Sequence, residues 1–492
     1  MKKIIILSAL FLFFTFQVFP CFTVVVGKKA SYNGAVLFGH NEDDMGNGIL
    51  RLWKFERKNY NEEFTLLNGD KEYIGRAASL LWIELKGQKV ADTFLNEYGV
   101  ALASDACPSK LKKGDGIIYF LRRLVAEKAR TAREGVQIAG ALIEKHGYPE
   151  GRTLIIVDPN EGWFLHILGG KHWLAWRVPD DAVATIPNFY TLKEVNLEDR
   201  KNFMASEDIV KLAIEKGLYD PKKDGKFDFA RVFSSKFSYE HPRNINRQWR
   251  ALELLSGKKW PRKSGLPPYF KPDHKIKPQD IFRVLRDHYE GTDLDLTHGY
   301  RDGSPYRMNT RPICTYTTQY SFVMELRPGI PIEIGGLIWF APTRPDSTPY
   351  IPLYFGISKF KEEYIGPRAS TTHDEIKERH FNPSPSIELK RKYFFFHAFR
   401  ILSDYLNTDR NYLKRIDEVR KSINTLEKEY FALKSYVEKT ALEIYRVKGD
   451  KEAKNFITSY VWGAMERARI DTLCLIRKFS RSQVNKKGKG KE

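Results

Sequence analysis

The residue whose position could support catalysis most directly is Cys21. Lys2 and Lys3 precede an apolar run from Ile4 to Phe19, and a basic start followed by such a run is typical of a secretory signal peptide. Removal of residues 1–20 would leave Cys21 as the first residue of an exported chain. The α-amino group of a cysteine has a reference pKa of about 7.7–8.0 and its thiol one of about 8.5, so the neutral amine can take the thiol proton.

The cleavage site leaves several interpretations open. The sequence Val18-Phe19-Pro20-Cys21 lacks the small residues that a signal peptidase prefers. Cys21 could be exposed by unusual cleavage or by self-cleavage, it could be the acylated first residue of a lipoprotein, or it could be an ordinary residue near a signal. Acylation of the α-amino nitrogen of Cys21 would prevent it from acting as a base. The nucleophile hypothesis and the lipoprotein hypothesis therefore exclude each other.

Two apolar runs predict the strands that position this cysteine. Phe22–Val26 and Ala35–Gly39 are continuous apolar runs of the kind covered on both faces, and the stretch from Gly27 to Gly34 predicts the loop between them. The polar run His40-Asn41-Glu42-Asp43-Asp44 follows the second strand. A carboxylate in this run can orient the terminal ammonium.

The length of the turn decides which residue lies opposite Cys21. If all eight loop residues form the turn, Cys21 lies opposite His40; if Asn33-Gly34 is a tight turn, it lies opposite Gly46. In both registers the polar run returns close to the cysteine.

Ordered sequence blocks run from Cys21 to Gly356. They are C-F-T-V-V-V-G-K-K-A-S-Y-N-G and G-H-N-E-D at the start, then L-N-E-Y-G-V-A, T-A-R-E, D-P-N-E-G-W, H-W-L-A-W-R-V-P-D-D, I-P-N, L-R-D-H-Y-E-G-T, R-P-I-C-T-Y-T-T-Q-Y-S-F, I-W-F-A-P and Y-I-P-L-Y-F-G. In this order they resemble the PepD-type dipeptidases, which belong with the secernins to the N-terminal-nucleophile hydrolases. Several blocks in order are more specific than one short motif.

The resemblance implies an α+β fold, an αββα sandwich of two antiparallel sheets between helical layers. It implies hydrolysis of an amide bond through a thioester, without a metal or cofactor. It also implies that Cys21 is the nucleophile and its α-amine the base, that Asp43 binds the amine, and that Asn188 helps to form the oxyanion hole or holds the substrate backbone.

The chain departs from related acylases at two places. His40 stands where bile-salt and penicillin acylases have an arginine, and a histidine favours the thiolate only when it is protonated. After Asn96, the segment Ala101–Ala106 holds no second asparagine, so we expect a backbone N–H or Ser104 to supply that oxyanion donor.

Three further residues are candidates for substrate binding or for supporting the thiol. Arg247 and Arg311 could receive a substrate carboxylate, but in a chain with 81 lysines and arginines a structural role is favoured for each. Asn41 lies in the polar run that returns to Cys21.

Local patterns predict the surrounding elements. We expect one helix at 117–129, a second that begins at the capping box of Thr131, and a third at 280–288. We expect strands at 154–157, 163–166, 316–326 and 336–340. Prolines and glycines from Pro349 to Gly366 predict a boundary. An apolar stripe from Leu413 to Ile444 predicts a long helix that packs on its own domain or on neighbouring helices, or forms a dimer seam. The predicted division is a signal peptide (1–20), a catalytic domain (21–365) and a helical C-terminal region with a basic tail (366–492).

Composition restricts the function further. The net charge is +20, and residues 371–492 hold much of this excess, which indicates a solvated helical surface rather than a nucleic-acid site. No apolar run after the signal is long enough to span a membrane.

With Cys21 as nucleophile, the other three cysteines allow at most one internal disulfide. His373 and His380 lack a partner at metal-ligand spacing, and no G-x-S-x-G, P-loop, H-E-x-x-H or EF-hand motif occurs.

These observations predict an exported cysteine dipeptidase or small-peptide amidohydrolase, periplasmic, cell-surface or extracellular. Its partners would be dipeptides or short peptides, and its C-terminal helices could support an oligomer. The alternatives are an acylase for a non-peptide amide on the same fold and a cell-surface binding lipoprotein acylated at Cys21.

Overall fold

The computed structural model describes residues 21–44, 50–66, 69–85, 93–111, 114–118, 120–295, 311–365, 395–407 and 411–488. The predicted signal peptide, the pair His373 and His380, and the last four residues of the basic tail lie outside these ranges. Within them, the strands are β1 (Phe22–Val26), β2 (Val36–Asp43), β3 (Leu50–Phe55), β4 (Lys58–Thr65), β5 (Lys71–Ala77), β6 (Leu80–Leu85), β7 (Thr93–Asn96), β8 (Ala101–Ala106), β9 (Arg152–Val157), β10 (Gly162–Gly169), β11 (His172–Arg177), β12 (Val183–Ile186), β13 (Phe203–Ala205), β14 (Tyr269–Phe270), β15 (Thr318–Leu326), β16 (Gly336–Ala341) and β17 (Ile351–Tyr354).

The helices of the same ranges surround these strands. They are α1 (Phe120–Lys128), α2 (Ala132–His146), α3 (Ile209–Glu215), α4 (Phe229–Phe233), α5 (Lys236–Tyr239), α6 (Pro242–Ser256), α7 (Pro278–Leu285), α8 (Ile332–Gly335), α9 (Glu362–Ile365), α10 (His397–Leu406), α11 (Asn411–Lys448) and α12 (Asp450–Gly488). None of the helices described has the length and apolar run that a membrane crossing requires.

Two antiparallel sheets form the centre of the fold. The seven-stranded sheet has the order β14-β12-β1-β2-β15-β16-β17, and the eight-stranded sheet has the order β13-β11-β10-β9-β8-β7-β6-β3. β4 and β5 form a separate hairpin. The two antiparallel sheets confirm the predicted α+β class.

The side chains of β9, which point alternately to the two faces of its sheet, show how the sheets and helices are layered. Ile155 and Val157 belong to the apolar cluster that includes the seven-stranded sheet, whereas Leu154 and Ile156 pack in a second cluster with α1 and α2. Because successive side chains of a strand point to opposite faces, the eight-stranded sheet lies between the other sheet and these two helices. The predicted sandwich of two sheets is therefore present on this side.

Helices also cover the outer face of the seven-stranded sheet. A Cβ on Gly39 of β2 would lie 2.4 Å from Cγ2 of Ile281, so glycine at this position permits the close approach of α7. Farther along the sheet, the ring of Trp339 stacks on Phe431 of α11 with centroids 4.1 Å apart. The long C-terminal helix therefore forms part of the outer helical layer.

The β1–β2 hairpin differs from both predicted registers. Val26 pairs with Leu37 and Phe22 with Asn41, so the connection is ten residues long, from Gly27 to Val36. Continued by one residue, this register places Cys21 opposite Glu42 rather than His40 or Gly46. The expectation that the polar run returns beside Cys21 is correct, but both predicted partners are wrong by the length of the turn.

The other local predictions are largely confirmed. Thr131 caps α2 by accepting from the Glu134 N–H at 3.1 Å, and β9, β10, β15 and β16 lie where strands were expected. The segment predicted as a boundary instead holds β17, which closes one edge of the seven-stranded sheet, and α9. Most of the apolar stripe of α11, including Val419, Ile423 and Val437, is buried within the chain. The division near residue 366 stays a prediction, because 366–394 lie outside the described residues.

Candidate active site

Cys21 lies at the head of β1, and its side chain is almost fully buried. Its Sγ lies 3.5 Å from Oε1 of Glu42 and 3.8 Å from the carbonyl oxygen of Asp43. The thiol thus faces the two acidic residues at the end of β2. Period-two alternation puts Cys21 on the same face of β1 as Thr23, which is the face toward the eight-stranded sheet.

A row of hydrogen bonds continues from Glu42 across the two sheets. Oε2 of Glu42 lies 3.1 Å from Nε2 of His40, and Nδ1 of His40 lies 2.9 Å from Oγ1 of Thr23. The Thr23 hydroxyl is also 2.5 Å from Oδ2 of Asp105 on β8. All these side chains are buried, so the row links the two sheets inside the protein.

The electrostatics around the thiol favour its neutral form in the intact chain. Burial raises the pKa of the Cys21 thiol well above its usual value, and the negative charges of Glu42, Asp105 and Asp43 add to this effect. A positive charge placed next to the sulfur would oppose them. The structure therefore provides a thiol that needs a nearby base or cation for activation.

Asp43 is a buried carboxyl group with two cationic neighbours. Burial raises its pKa to about 7, and the charges of Arg311 and Arg247 and a hydrogen bond from Thr318 act in the opposite direction. Oγ1 of Thr318 donates to Oδ1 of Asp43 at 2.6 Å. The carboxyl group is thus held in place by a hydrogen bond from β15.

Arg247 of α6 joins Asn188 to the start of β1. Its guanidinium donates to the Cys21 carbonyl at 3.1 Å, the Pro187 carbonyl at 3.0 Å, Oδ1 of Asn188 at 2.9 Å and Oδ1 of Asn244 at 2.7 Å. An arginine only donates, so the amide oxygen of Asn188 is fixed and its NH₂ group faces the other way. Nδ2 of Asn188 donates to the Ala106 carbonyl at 3.0 Å, which uses one of its two hydrogens.

The backbone of two site residues is in an uncommon conformation. Asn188 has φ 71° and Arg311 has φ 47°, both in the left-handed region. Such conformations are found often at functional sites, where the surrounding structure holds them. Burial and the charges of Arg247 and Arg243 lower the pKa of Arg311 to about 10, while the charge of Asp43 raises it.

Three predicted site residues have their side chains elsewhere. Asn41 donates to the carbonyls of Leu285 and Ile313, and Asn96 donates to the carbonyls of Ala126 and Ala129. Both therefore hold loops and helix ends rather than the thiol.

Ser104, predicted as an oxyanion donor, also points away from Cys21. Its hydroxyl accepts from Arg122 at 2.9 Å and from Arg152 at 3.1 Å. Ser104 and Asp105 are adjacent on β8, so their side chains lie on opposite faces, and it is Asp105 that faces β1. The prediction for Ser104 is not supported by this geometry.

Four residues that reach the site were not predicted individually. They are Thr23, Glu42, Asp105 and Thr318. A sequence signal exists for the first: Thr23 is the one polar residue in the apolar strand Phe22–Val26, on the face of Cys21. Predicting Glu42 would have required the correct length of the β1–β2 turn. Predicting Asp105 and Thr318 would have required knowing how strands distant in sequence pack together.

Two groups of described residues could hold a metal ion. One is Cys21, His40 and Glu42, and the other is His288, Cys314 and Asp346; within each group the donor atoms lie within 4.8 Å of one another. The four cysteines form no disulfide. Cys474 is exposed on α12, and the other three are buried.

Comparisons with known proteins agree with the resemblance found in the sequence. The model of peptidase family C69 matches residues 113–382, more than half of the chain. A "Probable dipeptidase" of Salmonella dublin is 27% identical over 374 residues, which cover 70% of this chain and 83% of that protein. A "Dipeptidase" of Bifidobacterium longum is 29% identical over 369 residues, covering 65% of this chain and 68% of that protein. Among solved structures, a conjugated bile acid hydrolase from Clostridium perfringens gives a TM-score of 0.33 at 15% identity, covering 66% of this chain and 89% of that one.

Proposed function

Because the chain belongs to peptidase family C69, we propose that it is a dipeptidase whose nucleophile is the thiol of Cys21, exposed by removal of residues 1–20. The relatives named dipeptidases support the substrate class. The observation on which the proposal rests is the position of Cys21: it directly precedes β1, its thiol contacts the Asp43 carbonyl, and Arg247 joins its own carbonyl to Asn188.

The new α-amino group supplies the base. It lies on the same residue as the thiol, within reach of the sulfur directly or through one water. Asp43 is the carboxylate that holds this amine, and its own position is fixed by Thr318. The ammonium that forms when the amine takes the thiol proton is a cation next to the sulfur, and it offsets the negative charges that raise the thiol pKa.

The reaction then proceeds through a thioester. The thiolate attacks the carbonyl carbon of the peptide bond, and the carbonyl oxygen takes the negative charge. The ammonium returns its proton to the leaving amine as the C–N bond breaks. Water, deprotonated by the α-amine, attacks the thioester, and the proton goes back to the sulfur as the acid product leaves.

Asn188 stabilises the negative oxygen. The second hydrogen of its NH₂ group is the donor, and Arg247 keeps the amide in the orientation that presents it. Arg247 makes its hydrogen bonds to protein oxygens, so we assign it to positioning rather than to substrate binding.

Arg311 is the residue that we assign to the free carboxylate of a short peptide. The electrostatic interaction of Arg311 with both Asp43 and Cys21 supports this assignment. Arg243 and Arg247 add positive charge around it, and His241 lies near all three. A cationic end of the site favours substrates whose carboxylate is one residue from the scissile bond, as in a dipeptide.

Export to the cell surface, periplasm or medium is part of the proposal. It is supported by the basic and apolar residues before Cys21, which also provide the means to expose the α-amine.

The test combines the N-terminus with activity. Exported protein is analysed by intact mass and N-terminal sequencing, and wild type, Cys21→Ala, Cys21→Ser and the control Cys474→Ser are assayed on dipeptides. We expect a chain that begins at an unmodified Cys21, no detectable hydrolysis by Cys21→Ala, and wild-type rates for Cys474→Ser, which changes an exposed thiol on α12.

The same panel separates the alternatives. It includes dipeptides amidated at the C-terminus and N-acyl amides. Full activity of both Cys21 variants would rule out the nucleophile, a blocked and lipid-bearing Cys21 would indicate a binding lipoprotein, and hydrolysis of N-acyl amides alone would indicate an acylase. An Arg311→Gln variant should lose its preference for the free carboxylate over the amide.

A further inference from the structure

The hydrogen bonds from Asp105 to Glu42 form an unbroken row that ends beside the Cys21 thiol. Its successive distances are 2.5 Å from Asp105 to Thr23, 2.9 Å from Thr23 to His40 and 3.1 Å from His40 to Glu42. The thiol is 3.5 Å from the other oxygen of Glu42. Cross-strand pairing of Thr23 with His40 holds the middle of this row rigidly between β1 and β2.

The number of hydrogens in the row limits its states. The Thr23 hydroxyl carries one hydrogen, so it donates to one neighbour and accepts from the other. If it donates to Asp105, Nδ1 of His40 must donate to Thr23. If it donates to His40, the carboxyl group of Asp105 must be protonated and donate to Thr23.

The two states differ in the charge on His40. With Nε2 of His40 donating to the Glu42 carboxylate, the first state has hydrogens on both ring nitrogens, and the imidazolium lies between the carboxylates of Asp105 and Glu42. In the second, the ring is neutral with its hydrogen on Nε2, and Asp105 is a carboxylic acid. Both states contain three hydrogens in the row and have the same total charge.

A concerted shift interconverts the states without any outside reactant. The hydrogen on Nδ1 of His40 moves to Oγ1 of Thr23, and the hydroxyl hydrogen of Thr23 moves to Oδ2 of Asp105. The reverse shift restores the imidazolium. The second oxygen of Asp105, Oδ1, is buried without a hydrogen bond, an environment that suits the carbonyl of an acid better than a carboxylate.

The position of the proton changes the charge next to the nucleophile. With imidazolium at His40, the charge of Glu42 is compensated and a thiolate at Cys21 is tolerated. With neutral His40, the Glu42 carboxylate no longer has the imidazolium charge beside it, and it opposes ionisation of the nearby thiol. Asp105 can therefore affect Cys21 although Thr23, His40 and Glu42 separate the two.

We propose that Asp105, Thr23, His40 and Glu42 form a proton relay that sets the charge beside the Cys21 thiol, with Asp105 and Thr23 as positioning residues. This proposal rests on the proposed function of Cys21 and assigns to the dipeptidase site a control that the α-amine alone does not supply.

Other groups face the relay and share its field. Cys21 lies on β1 and Asp43 on β2; Arg247 approaches from α6; and Arg311 precedes β15. On the eight-stranded sheet, the thiol of Cys107 lies next to Asp105. The rings of Phe38 and Phe322 pack on His40 and exclude water from it.

The test interrupts the row of hydrogen bonds at the uncharged hydroxyl of Thr23. In chains whose N-terminus is verified and whose exposed Cys474 is changed to serine, the alkylation rate of Cys21 is measured against pH by peptide mapping, together with kcat/KM for a dipeptide. Thr23→Val keeps the shape of the side chain and removes the hydroxyl, so His40 loses its link to Asp105. We expect the pH of half-maximal alkylation to rise by about one unit, a tenfold lower thiolate fraction below it.

Two further variants make the result specific. Thr23→Ser keeps a hydroxyl and should restore the wild-type position of the profile. Thr23→Ala removes the same hydroxyl without changing any charge, and it should shift the profile in the same direction as Thr23→Val. Thr23→Ala also provides the test if Thr23→Val fails to fold, as checked by thermal unfolding.

The outcomes separate this proposal from the assignment of the nucleophile. An unchanged or lowered alkylation profile in folded Thr23→Val or Thr23→Ala overturns the relay, even if Cys21→Ala is inactive as proposed. Persistent hydrolysis by Cys21→Ala overturns the nucleophile, whereas the alkylation profile still reports on the relay.

Discussion

Within the part of the chain that the structure describes, a cysteine, a histidine and a carboxylate come together twice, on the two faces of the seven-stranded sheet. Cys21, His40 and Glu42 lie between the sheets, and His288, Cys314 and Asp346 lie on the side of the C-terminal helices. Both groups are buried. The same three residue types therefore occur in two environments, and only their surroundings distinguish them.

The outer group, His288, Cys314 and Asp346, is bound into the contact with α11. Nδ1 of His288 is 3.1 Å from the hydroxyl of Tyr412, which also accepts from Arg420 at 3.1 Å. Arg420 in turn donates to Glu290 at 2.8 Å. These partners come from a long helix and connect it to the sheet, so the group acts as a polar link in the packing.

The inner group, Cys21, His40 and Glu42, differs in what adjoins it. Cys21 directly precedes the first strand described and follows the predicted signal peptide, so cleavage before it would add an amine, whereas Cys314 lies in the middle of the chain. Left-handed backbone does not separate the groups, because Asn188 and Arg311 adopt it at the inner site and Tyr289 adopts it beside the outer group. At the inner site, Arg247 joins the carbonyl of Cys21 to the amide of Asn188. A set of reactive residue types is therefore not sufficient for a site; the position along the chain and the neighbouring donors decide its chemistry.

The largest expected effect is at Asn188. Asn188→Ala removes the side chain that we assign to the oxyanion, and loss of one such donor lowers kcat by about 10²–10³, or about 2.7–4 kcal/mol. The variant is assayed on a dipeptide beside Cys314→Ala, which changes the outer group. An Asn188→Ala enzyme with wild-type kcat would remove Asn188 from the reaction and weaken the distinction between the two faces.

Two acidic residues next to these groups, Asp43 at the inner one and Glu290 at the outer one, should give opposite pH dependence of stability. Burial raises the pKa of Asp43 in the intact chain to about 7, against about 3.9 in the unfolded chain. Between these values the folded chain keeps a proton that the unfolded chain releases. Stability contributed by Asp43 is therefore lost as the pH rises from about 4 to 7, by up to about 1.4 kcal/mol per pH unit.

Glu290 provides the matched case on the outer face. Burial acts to raise its pKa, but the charges of His288 and Arg420 outweigh this and lower the pKa to about 2. Its contribution is present above the unfolded pKa and lost as the pH falls toward 2. Urea unfolding against pH should show a flatter slope from pH 4 to 7 for Asp43→Asn and reduced stability at neutral pH for Glu290→Gln. The same slope in wild type and Asp43→Asn would contradict the assignment.

The sequence predicted the elements around Cys21 better than their contacts. Phe22–Val26 and the polar run after Gly39 could be recognised because buried strands and chemically active residues differ locally in composition. The pairing of Cys21 with Glu42 depended on a ten-residue turn, whose length no local pattern determines. Asp105 reaches Thr23 from the other sheet, and contacts between sheets are set by packing rather than by periodicity.

Ser104 illustrates the same limit on one strand. The sequence located the correct segment, Ala101–Ala106, for a residue near the nucleophile. Because neighbouring side chains on a strand point in opposite directions, an error of one position changes the face, and Asp105 rather than Ser104 points toward β1. The prolines and glycines around β17 likewise led to the prediction of a boundary there. β17 is a short edge strand, and proline is tolerated at such an edge.

The smallest expected effect is that of Cys314→Ala, and it should show that Cys314, unlike Cys21, has a structural role only. Cys314→Ala removes a buried sulfur from the outer group and leaves a small cavity, so we expect a loss of roughly 1–2 kcal/mol in the free energy of unfolding. Its kcat/KM on a dipeptide should equal that of the wild type, because the thiol lies on the face of the sheet away from Cys21. Urea unfolding and steady-state kinetics on the same preparation measure both. Loss of hydrolysis by a fully folded Cys314→Ala would instead make the outer group part of the catalytic machinery, and the two faces of the sheet would have to be treated as one functional unit.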